Sequence, residues 1–209
     1  SSLQTSDYVS IDMKNMFFLW KRYLESINIP NVIFNNPLKA ILKDKLKYNE
    51  DNDCFTDITS VHLPVVSDFI QFWEGNIIYK HLAEDAEDEY EYEFEISEIC
   101  ALFKHSTNKI GQSVSEKNIL DLIQHFYPDV TIEDNKYILH IHCKLWNKDG
   151  DIIDILEKYK THWLSKPKIT TSSIYDIYTY YCKYSINKTC IVSKTYFERF
   201  VSQHLNEYI

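Results

Sequence analysis

Three glycines stand in 209 residues, at Gly75, Gly111 and Gly150, and no two of them are close together. A loop that cradles phosphate needs several glycines within a few residues, because the backbone itself must approach the ligand. A Walker loop and a dinucleotide fingerprint are therefore excluded. Hydrophobic residues make up 44% and aromatic residues 15% of the chain, which places it among globular proteins and gives it enough apolar surface for a real core. Its length suits one large domain or two small ones. The chain opens at Ser1 without a methionine, so it reads as a piece of a longer protein, with room for an ATPase part outside it.

Apolar spacing predicts helices in the first third. Met13, Met16, Phe17, Trp20, Leu24 and Ile27 share one face of a helix over 11–28, with Ser10 as its N-cap and Pro30 beyond its end. A second helix runs from Asn36 to Tyr48, with Pro37 in its first turn. It buries Leu38, Ile41, Leu42 and Leu46 and wets Lys39, Lys43, Lys45 and Lys47. A polar loop covers 49–59. A third helix over 63–75 turns Val65, Val66, Phe69, Phe72 and Trp73 inward, and a short helix over 76–82 continues it. These pieces predict a helical bundle, in which Phe17, Trp20, Phe69 and Trp73 are core. The acidic run from Glu84 to Glu95 reads as a solvated linker passing into a strand over 90–95, where Tyr90, Tyr92 and Phe94 alternate with glutamates.

The boundary falls near residue 86, and a second subdomain spans 87–150. Its strand leads into a helix carrying Ile96, Ile99, Cys100 and Phe103. After a polar loop, Ser113 and Glu116 have capping-box spacing for a helix that buries Ile119, Leu122, Ile123 and Phe126 and stops at Pro128. Segments 130–133 and 136–146 then form a hairpin around Asp134 and Asn135. Strand, helix, helix, hairpin is a winged-helix order. The third subdomain, 151–209, starts with a helix over 151–163, and Pro167 follows it. It ends in a helix-turn-helix. Ser172 or Ser173 caps a helix bearing Ile174, Ile177, Tyr178 and Tyr181, the turn contains Asn187, and Ser193 caps a last helix with Phe197, Phe200, Val201 and Leu205 inside. The fold class expected is mainly α with a small α+β part.

Charge is unevenly spread along the chain. Residues 1–143 hold 12 basic and 24 acidic side chains, and residues 144–209 hold 10 and 7. From Lys158 onward the count is 8 against 3, a basic end on an acidic body. A helix that touches nucleic acid needs an apolar anchor on one face and cations for phosphates on the other. In the last helix Lys194, Tyr196 and Arg199 fall opposite Phe197, Phe200 and Val201, with Lys188 in the turn before it. Ser193 and Thr195 stand at the helix N-terminus, where backbone N–H groups favour a phosphate. Lys188, Lys194, Thr195, Tyr196 and Arg199 are therefore the candidate nucleic-acid contacts.

The run SSIYDIYTYYCKYSINKTCIVSKTYFERFVSQHL, over 172–205, resembles the C-terminal winged-helix segment of D5-type primase-helicases of large DNA viruses and phages. Tyr178, Tyr181, Cys182, Ser193, Lys194 and Phe197 carry the match. The resemblance implies a nucleic-acid-binding accessory region of a viral replication protein, with DNA rather than RNA as ligand, other replication proteins as partners and the catalytic parts upstream. The alternative is a protein-interaction scaffold that docks partner subunits of a viral replication or transcription complex.

Catalytic and metal chemistry find little footing. His140 and His142 share a strand face while Cys143 points away, and no second ligand pair accompanies them. Asp51, Asp53 and Asp57 sit in an acidic loop, but counting from Asp51 puts Thr56 where a calcium loop needs glycine and His62 where it needs glutamate. The alternating glutamates of the acidic run face water, and no G-x-S-x-G elbow occurs. The chain itself thus reads as non-enzymatic, with no cofactor implied. Five cysteines without a C-x-x-C pair read as reduced thiols, so the expected location is cytoplasmic or nuclear. No window of 18 apolar residues exists, and no membrane partner is expected.

Overall fold

The computed structural model describes residues 3–79, 93–107, 114–164, 174–185 and 190–208. Among them are eight helices and three small sheets, so the chain is mainly α with a small α+β part. No helix among the described residues is long and apolar enough to cross a membrane. The chain divides into two compact units, Ser1–Gln71 with Asp121–Pro128, and Phe72–Leu120 with Asp129–Ile209. The boundary expected near residue 86 lies outside the described residues.

The first unit is not purely helical. Strand β1 (Leu3–Asp12) precedes helix α1 (Met13–Ser26), so the first helix starts two residues later than its periodicity suggested. Asp12, not Ser10, is the N-cap, and its carboxylate accepts the Asn15 N–H at 2.6 Å. Helix α2 (Asn35–Lys45) follows, then β2 (Tyr48–Asn49) and β3 (Cys54–Ser60), in the sheet order β1-β3-β2, and helix α3 (Leu63–Asn76) begins in this unit. The expected polar loop over 49–59 is thus a hairpin. Its Asn- and Asp-rich middle is the turn, and Asp53 adopts φ 49° there. β3 is the central strand because Cys54, Phe55, Ile58 and Ser60 are all buried. Ile11, Met13, Met16, Leu19, Phe55 and Ile58 form the core of this unit, with Leu42, Leu46 and Leu63 packed on it.

The C-terminal end of α1 fixes the chain's next direction. Asn28 takes φ 56°, the Ile29 N–H reaches Leu24 O at 2.9 Å and the Asn28 N–H reaches Glu25 O at 3.1 Å. That pairing closes the helix with a left-handed residue, a position that asparagine tolerates better than most side chains. Residues 121–128 complete this unit. Lys14 Nζ donates to Phe126 O at 2.9 Å, Lys14 O meets His125 Nε2 at 2.8 Å, and Arg22 pairs with Asp121 at 3.1 Å.

From Glu93 to Leu139 the elements follow in the order strand, helix, helix, hairpin, with the second helix divided between the two units. Strand β5 (Glu93–Glu95) leads into α4 (Ile96–Thr107); α5 (Glu116–Phe126) starts in this unit; β6 (Ile132–Glu133) and β7 (Tyr137–Leu139) make the hairpin. β7 lies between β5 and β6, with Phe94 opposite Ile138. Asp134 and Asn135, at φ 51° and 52°, form the turn, as the primed hairpin turns require. Ser113 lies outside the described residues, and Ser115 caps α5 by accepting the Asn118 N–H at 3.2 Å.

The long second hairpin strand is broken. His140, at φ 58°, turns the chain from β7 into β8 (Ile141–Cys143). β8 pairs with β4 (Ile77–Tyr79), the segment expected to be a short helix. The β-branched pair Ile77 and Ile78 finds a partner strand there, which outweighs its weak helical tendency. Helices α6 (Lys148–Leu164), α7 (Ile174–Tyr184) and α8 (Lys194–Tyr208) complete the unit. Ser172, Ser173 and Asn187 lie outside the described residues.

Candidate functional site

Helices α7 and α8 form the expected pair, fastened to α6 by tyrosine hydroxyls. Tyr181 is fully buried; its hydroxyl donates to Asp151 Oδ2 at 3.0 Å and accepts the Val192 N–H at 3.2 Å. Ser185 Oγ donates to the same carboxylate at 3.0 Å, and Tyr178 donates to Val192 O at 3.1 Å. The Tyr178 and Tyr181 rings lie 5.3 and 5.2 Å from that of Phe197. Burial, then the Cys182 contact, pushes the Tyr178 hydroxyl up to about 12. Burial raises Tyr181 as well, with the Asp151 carboxylate adding to it. Both tyrosines are neutral hydrogen-bonding pins and not acid–base groups.

The predicted contacts divide. Ser193 caps α8 as expected, its hydroxyl accepting the Tyr196 N–H at 3.2 Å. Lys194 and Thr195 are exposed on the first turn, with Lys194 Nζ 3.4 Å from Glu198 and 5.4 Å from the centroid of the exposed Tyr175 ring. Tyr196 does not lie on the outer face. It is 6% exposed, and its hydroxyl donates to Asp149 Oδ1 at 2.8 Å. Arg199 is half-buried and pairs with the buried Glu93 carboxylate. Tyr196 precedes Phe197 and stands one turn before Phe200, so a buried stripe wider than the three apolar side chains takes it in. Lys188 lies outside the described residues.

Tyr196 and Arg199 belong to a charged cluster that the sequence reading missed. Its centre is Lys148, 5% exposed, whose ammonium donates to Glu98 Oε2 at 2.8 Å and Glu93 O at 3.1 Å. Aromatic faces surround it: the ring of Tyr196 at 3.8 Å, Phe94 at 4.8 Å and Trp146 at 5.8 Å. Rings with negative faces stabilise an ammonium that has lost its water. Burial raises the Glu98 carboxyl above its ordinary range, and the Lys148 ammonium opposes that rise. Tyr196 is raised by burial and then by the Asp149 carboxylate. Lys148 stood in a polar NKDGD run that resembles any exposed turn, so no local signal marked it.

Lys148 and Glu93 themselves line a chamber of about 120 Å³, together with Phe94, Ile141, Trp146 and Tyr196. Trp146 is buried, and its indole N–H has no acceptor among the described residues. Among the described residues, no three His, Cys, Asp or Glu side chains are grouped so as to hold a metal ion.

A different surface stands out in the first unit. The segment leaving α1 carries exposed apolar side chains: Ile27, Ile29, Val32 at 76% exposure and Phe34 at 83%. Tyr23 precedes them on α1 and Ile41 follows on α2, both also exposed. From Ile27 to Leu38 there is no charged residue. Beyond it, Lys39 and Lys43 of α2 are satisfied within the unit by Asp53 and Glu50, and Lys47, just past the helix, by Asp57. No family model, no curated protein and no solved structure matches this chain.

Proposed function

We propose that the chain is a docking module for a partner protein, held through the uncharged apolar segment between α1 and α2. The observation that carries this reading is the exposure of Val32 and Phe34 in one short stretch. Large apolar side chains scattered singly on a surface are ordinary, but a run of them is a mark of an interaction site. The partner presents an apolar surface of its own, because nothing from Ile27 to Leu38 offers it a charge. The strand–helix–helix–hairpin unit, read as winged-helix-like, fits the same role. It exposes Glu116 and Lys117 on α5 and Glu133, Asp134 and Lys136 at the hairpin, a mixed set that a phosphate backbone would not favour.

The test uses the purified chain as bait in cells that make it, beside a Val32→Asp/Phe34→Asp double variant with an unchanged circular-dichroism spectrum. One protein should be retained in stoichiometric amount, its retention should fall at least about tenfold in the variant, and it should persist from about 0.1 M to about 0.5 M salt. Equal retention by the variant, or release by salt alone, would sink the proposal.

A second reading keeps nucleic acid as ligand, in a narrower form than five contacts. What favours it is Lys194 and Thr195 on the outer first turn of α8, beside the exposed Tyr175 ring. One cation and one helix N-terminus give a weak contact, with log affinity falling by about 1–2 per decade of salt. Fluorescence anisotropy with single- and double-stranded DNA and RNA should show that slope, and Lys194→Glu should abolish binding. Binding indifferent to both would discard this reading.

A further inference from the structure

Helix α2 turns outward a stripe that its own unit does not use. Leu38 is its one buried side chain, and Leu42 packs on the core beside it. Ile41, expected inside from its spacing, is 51% exposed. Pro37, Ala40, Ile41 and Asp44 are all exposed, at spacings of three and four residues that place them on one helix face. Phe34 stands at the start of the helix and joins this stripe to the apolar segment read above as the docking surface. We propose, resting on that docking reading, that the partner is a second copy of this chain, its α2 packed antiparallel on this one across a twofold axis.

Two features favour a copy over an unrelated protein. The first is charge. The chain carries a net charge of -9, so two copies repel at long range. Residues 21–60, however, hold six basic and six acidic side chains, and Lys39, Lys43 and Lys47 are each matched within the unit. On this face two copies meet without opposing net charge. The second feature is the symmetry of the stripe. Its midpoint falls between Ala40 and Ile41, so a twofold axis there sets the small Ala40 of each copy opposite the larger Ile41 of the other. The same axis sets Asp44 opposite Pro37, beside the first turn of the other helix. That turn has no acidic residue, and Phe34 gives it no side-chain cap. Its N–H groups therefore favour a carboxylate. Asp44 stands at the unfavourable end of its own helix dipole, with Lys45 at 2.8 Å to offset it. Antiparallel packing gives each helix end the charge it lacks.

Sedimentation velocity of the full chain from about 1 µM to about 1 mM reads the association. The mass should rise from monomer to dimer and no further, because a twofold contact closes on itself. Ile41→Asp should weaken the dimer at least about tenfold, since it brings two unpaired charges to the axis. Asp44→Lys changes a side chain that is 72% exposed and should weaken it about threefold or more. Asn36→Asp improves the charge of the helix's own first turn, yet it should weaken the dimer as well, and combining it with Asp44→Lys should restore association. If Ile41→Asp alters the circular-dichroism spectrum, the charge variants carry the test. A chain that stays monomeric at every concentration, or a dimer untouched by Ile41→Asp and Asp44→Lys, overturns the proposal. The bait experiment separates this failure from that of the docking reading. Capture of a different protein through Val32 and Phe34 removes the second copy and keeps the docking surface, whereas no capture at all removes both.

Discussion

Lys148 and Glu98 show how much one pair of side chains can govern. Each is almost fully buried, and the pair sits under three aromatic rings. Removing one partner leaves the other charge without water, at a cost of about 3–5 kcal/mol. Lys148→Met should therefore lower unfolding stability by about that much in urea titrations, and adding Glu98→Gln should recover a large part. The pH sign follows from the raised Glu98 carboxyl. The folded state holds that proton more tightly than the unfolded chain, so this group's contribution is full below the ordinary range near 4.5 and declines as pH rises through the folded value. His140 offers a simpler test. It holds φ 58° between β7 and β8, a left-handed conformation that strains any residue with a Cβ. His140→Gly should stabilise the chain by about 0.5–1 kcal/mol in the same titration. None of this was legible in the sequence, because neither a lysine's partners nor a histidine's φ leaves a mark in local composition.

Elements were easier to read when their apolar residues repeat at helical spacing. The helices α4, α5 and α8 stand close to where Ile99, Ile123 and Phe197 placed them, because a continuous stripe of that width has few other uses. The strands of the first unit escaped notice for a physical reason. β2 and β3 flank a turn so rich in Asn and Asp that the whole stretch looks like loop, and β1 gains its pairing from Phe55 and Cys54 more than forty residues away. The wet face of α2 is legible in its lysine spacing, and the partners of those lysines are not. Lys43 lies 3.9 Å above the Tyr48 ring as well as beside Glu50, yet such exposed pairs are worth less than about 1 kcal/mol each.

The contact between α1 and the end of α5 is more consequential. His125 lies between Phe18 and Phe126, at ring distances of 5.3 and 4.8 Å. Burial lowers its basicity, and the nearby Lys21 and Lys14 ammonium groups act in the same direction, against the backbone bond to Lys14 and the Asp12 carboxylate. The unfolded chain then takes up the proton first. Stability from this group is full above the ordinary value of 6.5 and is lost as pH falls from there toward the folded value. In His125→Gln that decline should vanish, as urea midpoints at several pH values would show; an unchanged pH profile would refute the assignment.

At the scale of the whole molecule, the basic end on an acidic body was a fair reading of the count and a poor guide to the surface. Of the cations expected to face a ligand, Arg199 holds Glu93 and Lys194 leans on Glu198. Net charge describes a surface only when the charges are not consumed in pairs, and pairing is a property of the fold. The apolar stretch proposed as a docking segment was hidden in another way. Nothing in the sequence marks Val32 and Phe34 as exposed, and the chain enters their stretch through the left-handed close of α1 at Asn28.

The first unit is also discontinuous in sequence, since Asp121–Pro128 belongs with Ser1–Gln71. During synthesis its early strands and helices emerge long before Asp121, His125 and Phe126, whose bonds hold α1. Until then Arg22 lacks the Asp121 carboxylate and Lys14 the Phe126 carbonyl, so the nascent unit waits for a piece of itself. A fragment ending at residue 86 should stay incompletely folded, with weak protection of α1 amides in hydrogen exchange, and adding a peptide spanning 116–128 should restore it. The amino end of this chain can be finished only after residue 128 has been made.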